Sequence, residues 1–157
     1  MRTYIVIATE SERKIINDFN HMLPSKISGV IVTGVGGLNV IEKLKKLKKN
    51  SRIINIGYVG SNHWEVGTLL IVKRTSLYHP NVRYESPIYE LNTRGLDDNV
   101  TCFTSNDFVL RTNIKSAVVF DMELAFICSL GFKEVLSFKK VSDKLDYKQY
   151  QKAASKE

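Results

Sequence analysis

Glu10, Glu12, Glu123 and Asp143 are the side chains whose placement could do acid–base chemistry. Glu10 and Glu12 follow at once on the apolar run Tyr4 to Ala8, just past the end of a strand-like segment. An acid there also suits the positive end of a helix dipole. Glu123 is stranger. It stands in DMELAFICSLGF beside Met122, Leu124, Ala125, Phe126 and Ile127, where an ionised carboxylate is costly unless paired or serving a site. Asp143 comes soon after a strand-like run at 134–141, where helix capping is the alternative use. The glycine cluster TGVGG could hold a ligand or simply turn a strand into a helix; neither GxGxxG nor phosphate-loop lysine spacing is present. His21, His63 and His79 are scattered and share no ligand spacing with cysteines or carboxylates, so neither metal nor cofactor is implied.

These groups need elements to bring them together. The pattern predicts strands at 3–8, 29–34, 52–57, 66–73, 100–104, 117–120 and 134–141. Helices are predicted at 10–22, about 38–49, 121–131 (ended by Gly131) and 144–156. A glycine turn is expected at Gly57 and Gly60, and a loop over 78–99, rich in Pro, Asn and Asp. Strand and helix in alternation predict an α/β fold: one domain over 1–157, with a central mixed, largely parallel β-sheet flanked by helices. Ligands of such sheets bind beyond the carboxyl ends of the strands, and most of the polar candidates fall there.

Composition narrows the classes. The chain has 157 residues, 43% hydrophobic and 25% charged, as in an ordinary globular domain. No apolar run approaches the roughly 18 residues of a membrane span, and the short apolar start is no signal peptide, so a cytoplasmic protein is expected. Cys102 and Cys128 read as buried free thiols. Much of the net charge of +7 lies in Lys43, Lys45, Lys46, Lys48 and Lys49, interleaved with Ile41, Leu44 and Leu47. That pattern reads as an amphipathic helix with a basic wet face, or as a patch attracting phosphate groups; no nucleic-acid motif supports a nucleic-acid partner.

Taken in order, the pieces resemble the methylthioadenosine/S-adenosylhomocysteine nucleosidases of the purine nucleoside phosphorylase family. IVIATESE resembles their first strand and acidic turn, TGVGGLNVIEKL their glycine turn and helix, and INIGYVGS the next strand. VGTLLIV followed by Tyr78-His79, then TSNDFV, VVFDMELAFICSLGF and SFKKVSDKLDYKQY resemble the later segments, so that the likeness spans nearly the whole chain. The resemblance implies a hydrolase that releases the base from a purine nucleoside, with adenine as the base. Asp143 matches the acid that protonates the leaving purine, and Glu12 the group that activates water. Glu123 matches the carboxylate that grips the ribose hydroxyls, and Met122 the residue against the sugar. Phe108 matches the aromatic stacked on the base, Val109 the residue whose backbone meets the adenine edge, and Ser142 an aid to Asp143. His79 matches a position near the pocket.

The family's phosphorylases hold phosphate with arginines, one of them just before the third-strand glycine. Here the first turn is acidic and Asn55 stands in the later place, which favours hydrolysis over the alternative, a phosphate-dependent phosphorylase. A small Ser of the family is replaced by Tyr58, which could crowd the water or the sugar. The resemblance further implies a chain condensed around 80–100 and cut short in its last helix, and a homodimer. A condensed middle leaves a 5′-phosphorylated substrate and a non-catalytic nucleoside-binding relative as further readings.

Overall fold

β1 (Thr3–Ile7), made of β-branched and aromatic residues, is buried between two parallel neighbours, β2 (Gly29–Val32) and β3 (Arg52–Ser61). The computed structural model describes residues 1–80, 86–95 and 99–155. Further strands are β4 (Leu69–Leu77), β5 (Tyr89–Glu90), β6 (Val100–Thr104), β7 (Val119–Asp121) and β8 (Glu134–Asp143). All eight join one mixed sheet. The pairs β1–β2, β1–β3, β3–β8, β4–β6 and β6–β7 are parallel, whereas β3–β7, β4–β5 and β4–β8 are antiparallel. The expected mixed, largely parallel sheet is therefore present. Its pairing also closes on itself, from β3 through β8, β4, β6 and β7 back to β3, which the pattern of elements did not foretell.

Helices cover the sheet. A 3₁₀ helix (Glu10–Met22) buries Ile15 and Phe19, four residues apart, against β1 and β3. α1 (Gly37–Leu44) packs on α2 (Leu124–Ser129), where a Cβ on Gly37 would stand 2.7 Å from the Phe126 ring. α3 (Tyr147–Ser155) is the last element and buries none of its residues. No helix among the described residues is long and apolar enough to cross a membrane.

Several boundaries differ from expectation. The glycine turn expected at Gly57 and Gly60 is continuous strand: β3 runs through both glycines to Ser61. The glycines are there for space, since a Cβ on Gly57 would lie 2.7 Å from a Glu12 oxygen and one on Gly60 2.7 Å from an Asp143 oxygen. β4 begins at Leu69 rather than 66, because Gly67 has φ of 95° and Thr68 closes a turn onto Glu65. The helix expected at 121–131 starts at Leu124: Asp121 is still strand, and its Oδ2 accepts the Leu124 N–H at 2.8 Å. The lysine-bearing helix stops at Leu44, with Leu44 buried but Ile41 37% exposed. Strand 29–34 ends at Val32 and strand 117–120 becomes Val119–Asp121. β5 occupies part of the expected loop, of which 81–85 and 96–98 lie outside the described residues, as does residue 156 of the expected last helix. Cys102 is buried and free, and Cys128 is free but half-buried.

Candidate active site

Because β1, β3 and β8 are parallel, their carboxyl ends lie side by side. At the first, the chain leaves β1 through Ala8 and Thr9 and enters the 3₁₀ helix, whose Glu12 folds back over the strand end. Glu12 Oε1 accepts the Ala8 N–H at 2.7 Å and the Thr9 N–H at 3.2 Å; Oε2 accepts the Tyr58 N–H at 2.9 Å. Burial pushes its carboxyl up, while Lys139 and these three N–H groups pull it back. Tyr58 therefore meets Glu12 with its backbone. Its phenol turns away toward the Ala153 carbonyl at 3.4 Å, and burial followed by the Glu12 charge pushes that phenol to about 12.

The second carboxylate comes from a bulge. β3 and β8 keep register up to Val59–Val141, then shift so that Gly60 faces Asp143. The extra residue, Ser142, lets both it and Asp143 reach the same cavity, which strict alternation would forbid. Ser142 Oγ donates to Asp143 Oδ2 at 2.7 Å, and the N–H groups of Leu145 and Asp146 donate to Oδ1 at 2.9 and 3.2 Å. Burial nevertheless outweighs these bonds and raises the Asp143 carboxyl above its ordinary range.

Glu123 stands at the entrance to α2, not inside it, which is how an apolar segment tolerates it. Its Oε2 accepts the Gly36 N–H at 2.9 Å, so the TGVGG turn serves this carboxyl as well as turning the chain. Burial first, then the charges of Asp121 and Glu12, push Glu123 up to about 8; it is protonated near neutral pH. Beneath lies Lys139, 1% exposed, whose Nζ donates to Asp121 Oδ2 at 3.2 Å. Thr104 donates to the other Asp121 oxygen.

These groups enclose a cavity of about 250 Å³. Glu12, Tyr58, Phe108, Met122, Glu123, Ser142 and Asp143 all line it, so seven of the site residues expected from the sequence are brought together. Val109 lines a small adjoining recess that shares Phe108 and Met122. His79 does not line the cavity: past the end of β4 its Nε2 lies 2.7 Å from Ser86 Oγ, in a separate cleft with Tyr78 and Asn113. Sequence reading missed Asp121, Val35, Tyr147 and Tyr150, which also line the cavity, and Lys139 behind it. Tyr147 and Tyr150 of α3 pack on Phe108 with ring centroids 5.1 and 5.5 Å away, giving the cavity an aromatic wall. Among the described residues, four carboxyl groups line the cavity and no cationic side chain does. Protonated Glu123 can donate a hydrogen bond, the raised Asp143 can deliver a proton, and Glu12, held by three N–H groups, can accept one.

No protein-family model matches the chain, and no curated protein matches it significantly. Solved structures do. A 5′-methylthioadenosine/S-adenosylhomocysteine nucleosidase from S. pneumoniae with a transition-state inhibitor is 16% identical, with a TM-score of 0.72 over 97% of this chain and 91% of that one. A nucleosidase variant from Chlamydia trachomatis bound to MTA is 13% identical, with a TM-score of 0.72 over 98% and 90%. The futalosine hydrolase of Helicobacter pylori is 13% identical, with a TM-score of 0.70 over 98% and 92%. What is common at these identities is architecture: the chain has the nucleoside phosphorylase-like fold of these nucleosidases and hydrolases.

Proposed function

We propose that the protein is a nucleosidase that hydrolyses the N-glycosidic bond of a purine nucleoside, with adenine as the base and methylthioadenosine or S-adenosylhomocysteine as the type of substrate. One observation carries this reading: Glu12, Glu123 and Asp143, far apart in sequence, converge on one cavity with three different hydrogen-bonding surroundings. The protein's fold neighbours include nucleosidases named for methylthioadenosine and S-adenosylhomocysteine.

Breaking the bond passes through a sugar cation of oxocarbenium character, and the base departs more readily when protonated. Asp143 gives its proton to the purine N7 as the C1′–N9 bond opens. Glu12 takes a proton from the water that bonds to C1′. The products are free base and free sugar, and one proton passes from Glu12 back to Asp143 through solvent. Glu123 and Met122 hold the ribose, and Phe108 packs on the base. With no cationic side chain lining the cavity among the described residues, the acidic wall favours water over inorganic phosphate as co-substrate. It thereby speaks against the phosphorylase reading.

The test is incubation with a panel of purine nucleosides and nucleotides, with and without phosphate, followed by chromatography. Free base is expected without phosphate. Asp143→Asn is expected to keep the fold and lose at least 10²-fold in rate, the usual contribution of an acid. Strict dependence on phosphate would overturn the hydrolase, and full activity in Asp143→Asn would remove the proposed acid.

A homodimer is part of the same proposal. Val35, Leu38 and Ile41, three residues apart, are 42%, 77% and 37% exposed, and Val35 also lines the cavity. An apolar stripe at the mouth of the site suits a second copy, which would close the mouth.

A further inference from the structure

Lys139 is the one wholly buried lysine among the described residues, in the middle of β8. An ammonium at that depth normally sheds its proton. Here burial does pull it down, but Asp121, Cys102, Glu12 and Glu123 together push it past its usual value, so it stays charged. These groups reach it from β7, β6, the 3₁₀ helix and the entrance to α2. A Cβ on Gly57 would lie 2.7 Å from Glu12 Oε2 and 3.4 Å from Lys139 Nζ, so the two charges face the same empty spot. They are within about 6 Å of each other, the range in which an opposite charge favours a carboxylate.

We propose that Lys139 is a positioning residue for the reaction: its ammonium, anchored on Asp121, is the fixed counter-charge that keeps Glu12 a carboxylate at the cavity wall. Lys139 does not itself line the cavity. The inference rests on Glu12 being the base of the proposed hydrolysis. Glu12 also faces Tyr58, Tyr150 and Glu123, and none of these supplies positive charge. A purely structural Lys139–Asp121 pair makes a different prediction. Replacing both members by neutral side chains would then shift Glu12 no further than Asp121→Asn alone, whose lost charge is felt through Glu123.

The experiment uses that replacement. Lys139→Met alone leaves Asp121 buried without a partner and risks unfolding, so Lys139→Met is combined with Asp121→Asn. In the double variant the acid limb of the pH–rate profile is expected to move up by about 1 unit, about tenfold in rate on the acid side. Lys139→Arg is expected to leave the limb in place. A second readout needs no activity. Burial already raises Glu12 in the fold, so stability falls as pH rises from its unfolded to its folded value. Without Lys139 that fall in Tm is expected to be deeper and to reach higher pH. Adding Glu12→Gln is expected to abolish the difference. An unmoved acid limb, or a Tm profile indifferent to Glu12→Gln, overturns the proposal. If the parent protein hydrolyses no nucleoside, the function fails, while the Tm profiles still decide whether Lys139 is the counter-charge of Glu12.

Discussion

At Gly57 a missing side chain matters as much as any that is present. Its absent Cβ leaves the spot into which Glu12 Oε2 projects, 2.7 Å away. Gly57→Ala is expected to push the carboxylate off its three N–H donors at an overpacking cost of about 1–3 kcal/mol. The check is twofold: Tm falls modestly, and base release falls far more than stability explains. A variant as active as the parent would mean that Glu12 is not held where it must act. Glu123 gives a pH prediction. Its folded value of about 8 lies above its ordinary 4.5, chiefly through burial. The contribution to stability is therefore full below about pH 4.5 and is lost as pH rises toward about 8. Glu123→Gln is expected to raise Tm at about pH 9, to leave it nearly unchanged at low pH, and to weaken substrate binding. A Tm lowered at both ends would sink the idea that this carboxyl is strained by its site. Most of these acids were legible in the sequence because each breaks its surroundings: an acid in an apolar run, or one just past a strand. Lys139 was not, because SFKKVSD reads as a polar strand end until β8 is seen to be buried on both faces there.

The elements show why their order was legible and their junctions were not. Apolar runs and glycines announced strand and helix in sequence, but the closure of the pairing from β3 round to β7 depends on contacts between distant strands. The bulge at Ser142 likewise comes from the register between β3 and β8, which composition does not carry. Nor did the polar stretch 144–156 reveal that α3 supplies two tyrosines to the cavity. No residue of α3 is fully buried, though Tyr150 and Ala153 pack against the core, so its hydrogen bonds help to fix its position. The Ala153 carbonyl in its last turn accepts Lys14 Nζ at 2.8 Å and the Tyr58 hydroxyl at 3.4 Å, and Gln149 Oε1 accepts the Lys144 N–H at 2.8 Å. Lys14→Met and Tyr58→Phe each remove one bond to Ala153, worth about 1 kcal/mol. In the combined variant the α3 amides are expected to exchange faster, and KM to rise several-fold with kcat nearly kept, because Tyr147 and Tyr150 wall the cavity without taking part in proton transfer. Unchanged α3 exchange would show that other contacts hold the helix.

For the whole molecule the governing fact is a charge contrast. The chain carries a net +7, yet its cavity is walled by carboxyl groups. Two copies therefore repel each other over most of their surface, and association is feasible only where charge is absent and apolar area can be covered. The stripe of Val35, Leu38 and Ile41 supplies the apolar area, the adjoining Lys45 is paired with Glu42 at 3.2 Å, and Val35 belongs to the cavity. Salt screens the repulsion and leaves the apolar contact, so the proposed dimer is expected to tighten as ionic strength rises from about 0.05 to 0.5 M. Sedimentation equilibrium across that range measures it. Leu38→Lys adds a charge to the centre of the stripe and is expected to yield a monomer at every salt concentration. Because a monomer leaves the mouth of the site open beside Val35, its KM is also expected to rise. A parent protein that stays monomeric at high salt would remove the dimer. A Leu38→Lys monomer with an unaltered KM would keep the dimer but separate it from the site.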